Sequence, residues 1–251
     1  MKKLAYIFIL ITVLGCDSEK GLNCFQAAGD IIQEEVTVSE FDKIIVWERA
    51  QLIIQQGETQ KVIIETGENL LNDVEVSVDE GTLNIYNNNG CNLVRDYGIT
   101  KVYVTSPNIT VIRNSSGLTV ESIGTLSYEN LTLLSEDQEN EDGYHIDGNF
   151  RLQLAVDRLD VISNGLSNFY LSGTALNASI GLYAGDSRVE AAELSIDNLY
   201  VFHRSTNQMI VNPQNQLSGK IVSIGDVISV NEPPIIEVEE LYTGRLIFEL
   251  P

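Results

Sequence analysis

The sequence predicts an all-β protein, and three observations carry that expectation. From about residue 36 onward, short runs of β-branched and aromatic residues follow one another with turn residues between them. No stretch after the first fifteen residues shows the apolar spacing of an amphipathic helix. The second half repeats at a step near 21 residues. A strand–turn–strand unit of about 20 residues is the size of one coil of a β-solenoid, in which each coil buries its apolar side only by stacking on the next. The expected fold is therefore a right-handed parallel β-solenoid (β-helix) over residues 36–251. A β-sandwich, whose strands look alike in a single sequence, is the alternative.

Taken in order, the chain opens with Lys2 and Lys3 and then runs from Leu4 to Leu14 without a charge. That is the pattern of a secretory signal and is shorter than the roughly 20 apolar residues a membrane-spanning helix needs. "Val13-Leu14-Gly15-Cys16" resembles a bacterial lipobox, in which the peptide is cut before the cysteine and the thiol is acylated; Leu14 stands where a smaller residue is usual. The expectation is a signal peptide over 1–15 and a lipid anchor on Cys16, against a plain signal peptide with a chance cysteine. Residues 16–35 read as a tether. Its opening "Asp17-Ser18-Glu19" is either solvated spacer or an acidic export tag like those of some surface lipoproteins.

Charge narrows the partners. The 251-residue chain carries net charge −21, and removing residues 1–15 leaves −23. Such a surface repels phosphate backbones, so nucleic acid is not an expected partner. A membrane is expected as a partner only through the lipid anchor.

The strands come next. "VTVSEFDKIIVW" (36–47), "QLIIQQ" (51–56) and "KVIIET" (61–66) are β-branched runs; "VEVSVDEGTLNIYN" (74–87) alternates, turns at Glu80-Gly81 and resumes at Leu83 and Ile85. Further on, Ile180, Val201 and Val222 sit 21 residues apart in similar apolar runs, and "NITVIRNSSG" (108–117) and "NLTLLSEDQ" (130–138) follow nearly the same step. Between Ser135 and Asn164 about eight residues are surplus, and they coincide with the acidic segment "EDQENED" (136–142). Treated as a loop, it restores the period. Two lobes, about 36–104 and 105–251, are compatible with this pattern.

Residues 41–91 resemble the opening of the putative autotransporter adhesin, head GIN domain family. Phe41, Ile44 and Val46 match its Phe-x-x-Ile-x-Val start, Ile53, Ile54 and Gln56-Gly57 its apolar pair and turn, and Gly81, Leu83 and Ile85 its "GxLxI" strand. The resemblance extends over roughly 40–230. It implies a β-helical, secreted or lipid-anchored protein of Gram-negative bacteria; taken with the lipid anchor, the expected location is the outer membrane, facing either the periplasm or the outside. It brings no catalytic residues.

The residues themselves point to no chemistry. His145 and His203 are the only histidines, and no HExxH, CxxC or EF-hand spacing occurs. Asp137, Glu139, Glu141 and Asp142 lack the glycine of a calcium loop and read as a solvated acidic loop, with a loosely held Ca²⁺ as the alternative. His203-Arg204 reads as a corner contact, and Tyr170, Tyr183 and Tyr200 miss the coil period. Asn108, Asn114, Asn130 and Asn177 begin Asn-x-Ser/Thr triplets and read as corner asparagines. No enzyme activity, cofactor or metal is expected. With Cys16 acylated, Cys24 and Cys91 form an even pair in an oxidising compartment, and a disulfide between them would stabilise the fold by roughly 4 kcal/mol in the chain-entropy view; two free buried thiols are the alternative. The functional expectation is a lipid-anchored envelope protein that binds a glycan or a protein. A carbohydrate-active enzyme on the same scaffold, or a structural envelope protein without a ligand, are the rivals.

Overall fold

The computed structural model of the protein describes residues 26–90, 96, 98–138, 140, 141 and 143–250. The signal segment 1–15, Cys16, Cys24 and Cys91 lie outside the described residues. Alternation of buried and exposed positions organises nearly everything that is described. In β7 (Lys101–Ser106) and β10 (Asn130–Ser135), every second residue is buried, as a pleated strand with one face on a core requires. The other short strands are β1 (Ile31–Val36), β2 (Lys43–Val46), β3 (Gln51–Gln56), β4 (Lys61–Gly67), β5 (Val74–Asp79), β6 (Thr82–Asn87), β8 (Val111–Asn114) and β9 (Val120–Leu126). Four long strands follow: β11 (Phe150–Ser163), β12 (Asn168–Leu182), β13 (Arg188–His203) and β14 (Met209–Ile221). The last three, β15 (Val227–Ser229), β16 (Ile235–Glu240) and β17 (Leu246–Phe248), are short again, and Glu68–Asp73 forms a 3-10 turn.

All seventeen strands join one sheet. One row of pairings runs from β5 through β6, β2, β8 and β10 into the C-terminal halves of β11 to β14 and on to β16. A second row runs from β1 through β4, β7, β3 and β9 into the N-terminal halves of the same long strands, then β15 and β17. The long strands belong to both rows. They carry the sheet round a common core until it nearly closes on itself, like a barrel. Phe41, Ile44 and Val46 of the start motif lie in this core, as do Leu83 and Ile85.

The sequence expectation of an all-β fold is met, but the strands are not all parallel. β1–β4, β4–β7 and β5–β6 are antiparallel. The reason is local for β5–β6: Glu80 and Gly81 both take positive φ, 45° and 75°. Two such residues make a tight hairpin turn, which reverses the chain and cannot feed a parallel partner. A second difference concerns the tether expected to residue 35. Residues 31–36 are β1, paired with β4, so the folded body begins earlier.

From β8 onward the pairings are parallel. Phe150, Phe169, Val189, Met209, Val227 and Leu246 follow one another across neighbouring strands. The step of 21 holds from Ile180 to Val201, but the next partner of Val201 is Gly219 and not Val222. The period slips because the register shifts between β13 and β14 at Glu190/Ser195. The surplus near the acidic segment is indeed a connection, between β10 and β11. Inside the sheet, at one corner, serines replace aliphatics. Ser163 and Ser187 pair through their hydroxyls at 2.7 Å, Ser135 and Ser167 at 2.5 Å, and Ser205 Oγ donates to the Ser187 carbonyl at 2.7 Å. Their polar atoms are buried but bonded to one another, which removes most of the desolvation cost.

Candidate binding groove

A flat sheet offers a ligand little to hold, and a groove needs walls. Here β-bulges supply them. β9 advances from Glu121 to Thr125 while β11 beside it advances only from Arg151 to Gln153. On the other side, β13 advances from Glu190 to Glu193 while β12 advances from Tyr170 to Ser172. A bulge bends its strand and re-aims side chains. The two regular strands between them become the floor of a groove of about 400 Å³. The floor carries Arg151 and Gln153 from β11 and Tyr170 and Ser172 from β12; Ser122 forms one wall and Glu190, Ala192 and Glu193 the other.

The polar groups of this groove are oriented by neighbours. The Arg151 guanidinium lies 4.4 Å from the centre of the Tyr170 ring, a cation–π arrangement that fixes its plane. The Gln153 backbone N–H donates to Ser122 Oγ at 2.9 Å. Glu190 is paired with Arg188. Among the described residues, neither Arg151 nor Glu193 belongs to an ion pair.

A second, smaller depression of about 230 Å³ lies on the other row of the sheet, over Arg158, Asn177, Asn198 and Tyr200. Its amides are turned toward each other, Asn198 Nδ2 donating to Asn177 Oδ1 at 3.2 Å, and Arg158 is held by Asp160 at 2.8 Å. Tyr183 stacks on Phe202 with ring centres 5.1 Å apart. A third cluster pins the β10–β11 connection. Tyr144 stacks on Trp47 at 5.2 Å, Arg113 sits 4.1 Å over Tyr144 and bonds Glu136 at 2.8 Å, and His145 Nε2 meets Glu48 Oε1 at 2.8 Å. The hydrogen bond with His145 holds the Glu48 carboxyl below its usual pKa.

The residues singled out from sequence scatter. His145 is at the surface on Glu48. His203 is fully buried, and neither ring nitrogen has a hydrogen-bond partner. Arg204 beside it is exposed. Burial pushes the pKa of His203 down to about 4, so it is a neutral core residue. Of the acidic segment, Asp137 bonds Asn164 at 2.9 Å, whereas Glu139 and Asp142 lie outside the described residues. Among the described residues no group of three or more His, Cys, Asp or Glu is placed to hold a metal ion. Asn114 is a buried corner asparagine that donates to the Leu118 and Asn149 carbonyls. Tyr170, Tyr183 and Tyr200 occupy separate settings, and only Tyr170 reaches the groove. Sequence reasoning missed the groove itself, because its walls come from bulges. The repeat step read from the sequence, even from Ile180 through Val201 to Val222, gives no sign of them.

Solved structures similar to this chain share its fold. A putative adhesin from Bacteroides fragilis superposes with a TM-score of 0.77 at 21% identity, covering 88% of this chain and 97% of its own. A putative lipid binding protein from Parabacteroides distasonis gives 0.60 at 15% identity, covering 87% and 97%. A putative adhesin from Parabacteroides merdae gives 0.56 at 15%, covering 88% and 97%. No curated protein matches the sequence. Residues 40–233 match the family described as "Putative auto-transporter adhesin, head GIN domain", and the chain belongs to that family.

Proposed function

We propose that the protein is a non-enzymatic binding module, an adhesin of the bacterial outer membrane, which presents its sheet surface to a glycan or a protein. The observation that carries this reading is the groove between the bulges of β9 and β13. It is a recess lined by polar side chains on strands that are paired on both sides, and its carboxylate Glu190 is already committed to Arg188. Rigid elements hold binding groups in place at little entropic cost. In this reading residues 1–15 are removed as a signal peptide and Cys16 carries the lipid anchor. The body runs from β1 to residue 251, in lobes of about 36–104 and 105–251, with β1 joining the first through its pairing with β4. The parallel part is wound as a right-handed β-solenoid, the hand that strand-crossover-strand connections adopt. No helix among the described residues is long and apolar enough to cross a membrane, which is compatible with a lipid as the attachment.

The Cys24–Cys91 disulfide belongs to the same proposal. Gln26 donates to the Asn69 carbonyl at 2.6 Å and Asn89 to the Leu70 carbonyl at 3.2 Å. Each lies two residues from its cysteine, and both reach the same 3-10 turn, which supports the pairing. Non-reducing mass mapping of protein purified from the envelope is expected to find the bridged peptide; free thiols at both positions would refute it. Labelling of cells with a fatty-acid probe is expected to fail for Cys16→Ala, and equal labelling of wild type and variant would remove the anchor. The binding reading is tested with the mature protein on panels of glycans and extracellular-matrix proteins. Saturable binding to one class supports it, and turnover of a polysaccharide would replace it with an enzyme.

A further inference from the structure

We infer that the groove between the β9 and β13 bulges is a binding site for a neutral, hydroxyl-rich glycan; this rests on the proposal that the protein is a binding module. Three features of the groove carry the inference. The first is its shape. Neighbouring strands lie about 4.8 Å apart, so the three steps from β9 to β13 set the walls roughly 14 Å from each other. That width admits one saccharide chain lying along the strands, over Arg151, Gln153, Tyr170 and Ser172.

The second is the chemistry of its polar groups. Sugar hydroxyls are both donors and acceptors, and they are best met by groups that bond through two atoms at once. Arg151 offers a donor fork whose plane is set by Tyr170. Glu193 offers two acceptor oxygens and belongs to no ion pair among the described residues. Gln153 offers one donor and one acceptor group on the same amide, and Ser172 a hydroxyl. None of these four groups has to be released from a salt bridge before it can meet a ligand.

The third is what the groove excludes. Glu121 pairs in register with Arg151, and Glu190 and Glu193 stand on the far wall. Together with a chain charge of −21, they repel sulfated or sialylated chains. An extended peptide would bind by adding to a free sheet edge, and the floor has none. β11 is paired with β9 and β12, and β12 with β11 and β13. The two leucines of the lining, Leu152 and Leu171, are themselves buried in the core, so they offer a protein partner little apolar surface on which to anchor a side chain.

The test uses the mature protein on immobilised neutral oligosaccharides of hexose and N-acetylhexosamine. The same glycans carrying sulfate or sialic acid, and lysine-rich peptides, are the comparison probes. Wild type is expected to bind neutral glycans and not the anionic ones. Arg151→Ala and Glu193→Ala each weaken binding about tenfold, the size of one lost charge-assisted hydrogen bond. Ser172→Trp, which fills the groove from an outward position, abolishes binding while the melting temperature holds. Tyr200→Ala, on the other row, changes nothing. Neutral-glycan binding that survives both Arg151→Ala and Ser172→Trp would overturn the groove and leave the binding module standing. Binding only to the peptides or to matrix proteins would overturn the ligand class. Binding to nothing would overturn both proposals together.

Discussion

From β1 to β7 the strands are 4 to 7 residues long and pair in both orientations; from β11 to β14 they are 13 to 16 residues long and pair only in parallel. The first region closes part of its structure locally, through tight turns whose geometry depends on few residues. The second closes nothing locally. Each strand is placed by the strand about 20 residues away, and outside the bulges most buried positions lie over a buried counterpart. A defect in the first region should stay local. A defect in the second should displace a neighbouring strand.

Two glycines test this comparison most sharply. Gly219 sits in β14 with φ of 130°, and a Cβ there would run into the Val201 carbonyl oxygen of β13. That oxygen belongs to the paired backbone and cannot move without opening the ladder. Gly219→Ala is expected to cost at least about 4 kcal/mol, in the range where single changes become exceptional. Gly81 also has positive φ, but the nearest atom to its Cβ would be Asp42 Oδ1 at 3.5 Å. Gly81→Ala therefore meets only the conformational strain, about 1 to 2 kcal/mol. Denaturant unfolding of the mature proteins measures both. Equal losses would show that the parallel stack is no less tolerant than the hairpin.

Acid separates the regions next. His203, in β13, is the one histidine of the chain that is buried. Leu182 and Ile221 lie beside it in register. Burial lowers its pKa to about 4, and the Asn207 backbone and the Asp226 carboxylate oppose the shift only in part. An unfolded chain takes up a proton near pH 6.5 that the folded chain refuses until about pH 4. The stability is thus complete above pH 6.5 and is lost as pH falls toward 4, by about 3 kcal/mol in all. Other carboxylates titrate in the lower part of this window, so the difference between wild type and His203→Leu is the useful quantity. Parallel stability profiles for the two proteins from pH 7 to pH 4 would remove His203 as the source.

The legible part of the molecule is the part written in alternation. Val102 and Val104, or Leu131 and Leu133, announce their buried face by period alone, and the Glu80-Gly81 turn announces its hairpin. The repeat step also carried real information, since Ile180 and Val201 are partners. Register and orientation were less legible. Nothing near β4 marks it as antiparallel to both β1 and β7, because its alternation is the same for either direction. The groove was not legible at all. Residues 191–194, Ala-Ala-Glu-Leu, carry no bulge signal of their own. The bulge exists because neighbouring strands spend fewer residues over the same distance. The inward-facing serines were not legible either, because a polar residue in a strand reads as an outward or turn position. They sit at a corner and face inward, where a hydrogen bond to a second hydroxyl or to a carbonyl offsets the cost of burying them.

That last feature gives the smallest and most specific test of the parallel stack. Ser163 and Ser187 are both fully buried and share one hydroxyl–hydroxyl bond across neighbouring turns of the chain. Ser163→Ala leaves the Ser187 hydroxyl without that partner, which is expected to cost about 1 to 2 kcal/mol. Ser187→Ala does the same to Ser163, which has Ser135 beside it in register. If the hydroxyls are kept only for each other, the double change removes both the bond and the need for it. It should then cost clearly less than the two single changes added together. Thermal unfolding of the four proteins completes the cycle. Strict additivity would mean that the serines act independently, through their small size at a tight corner, and that the stack is held there by packing and not by the hydroxyl ladder.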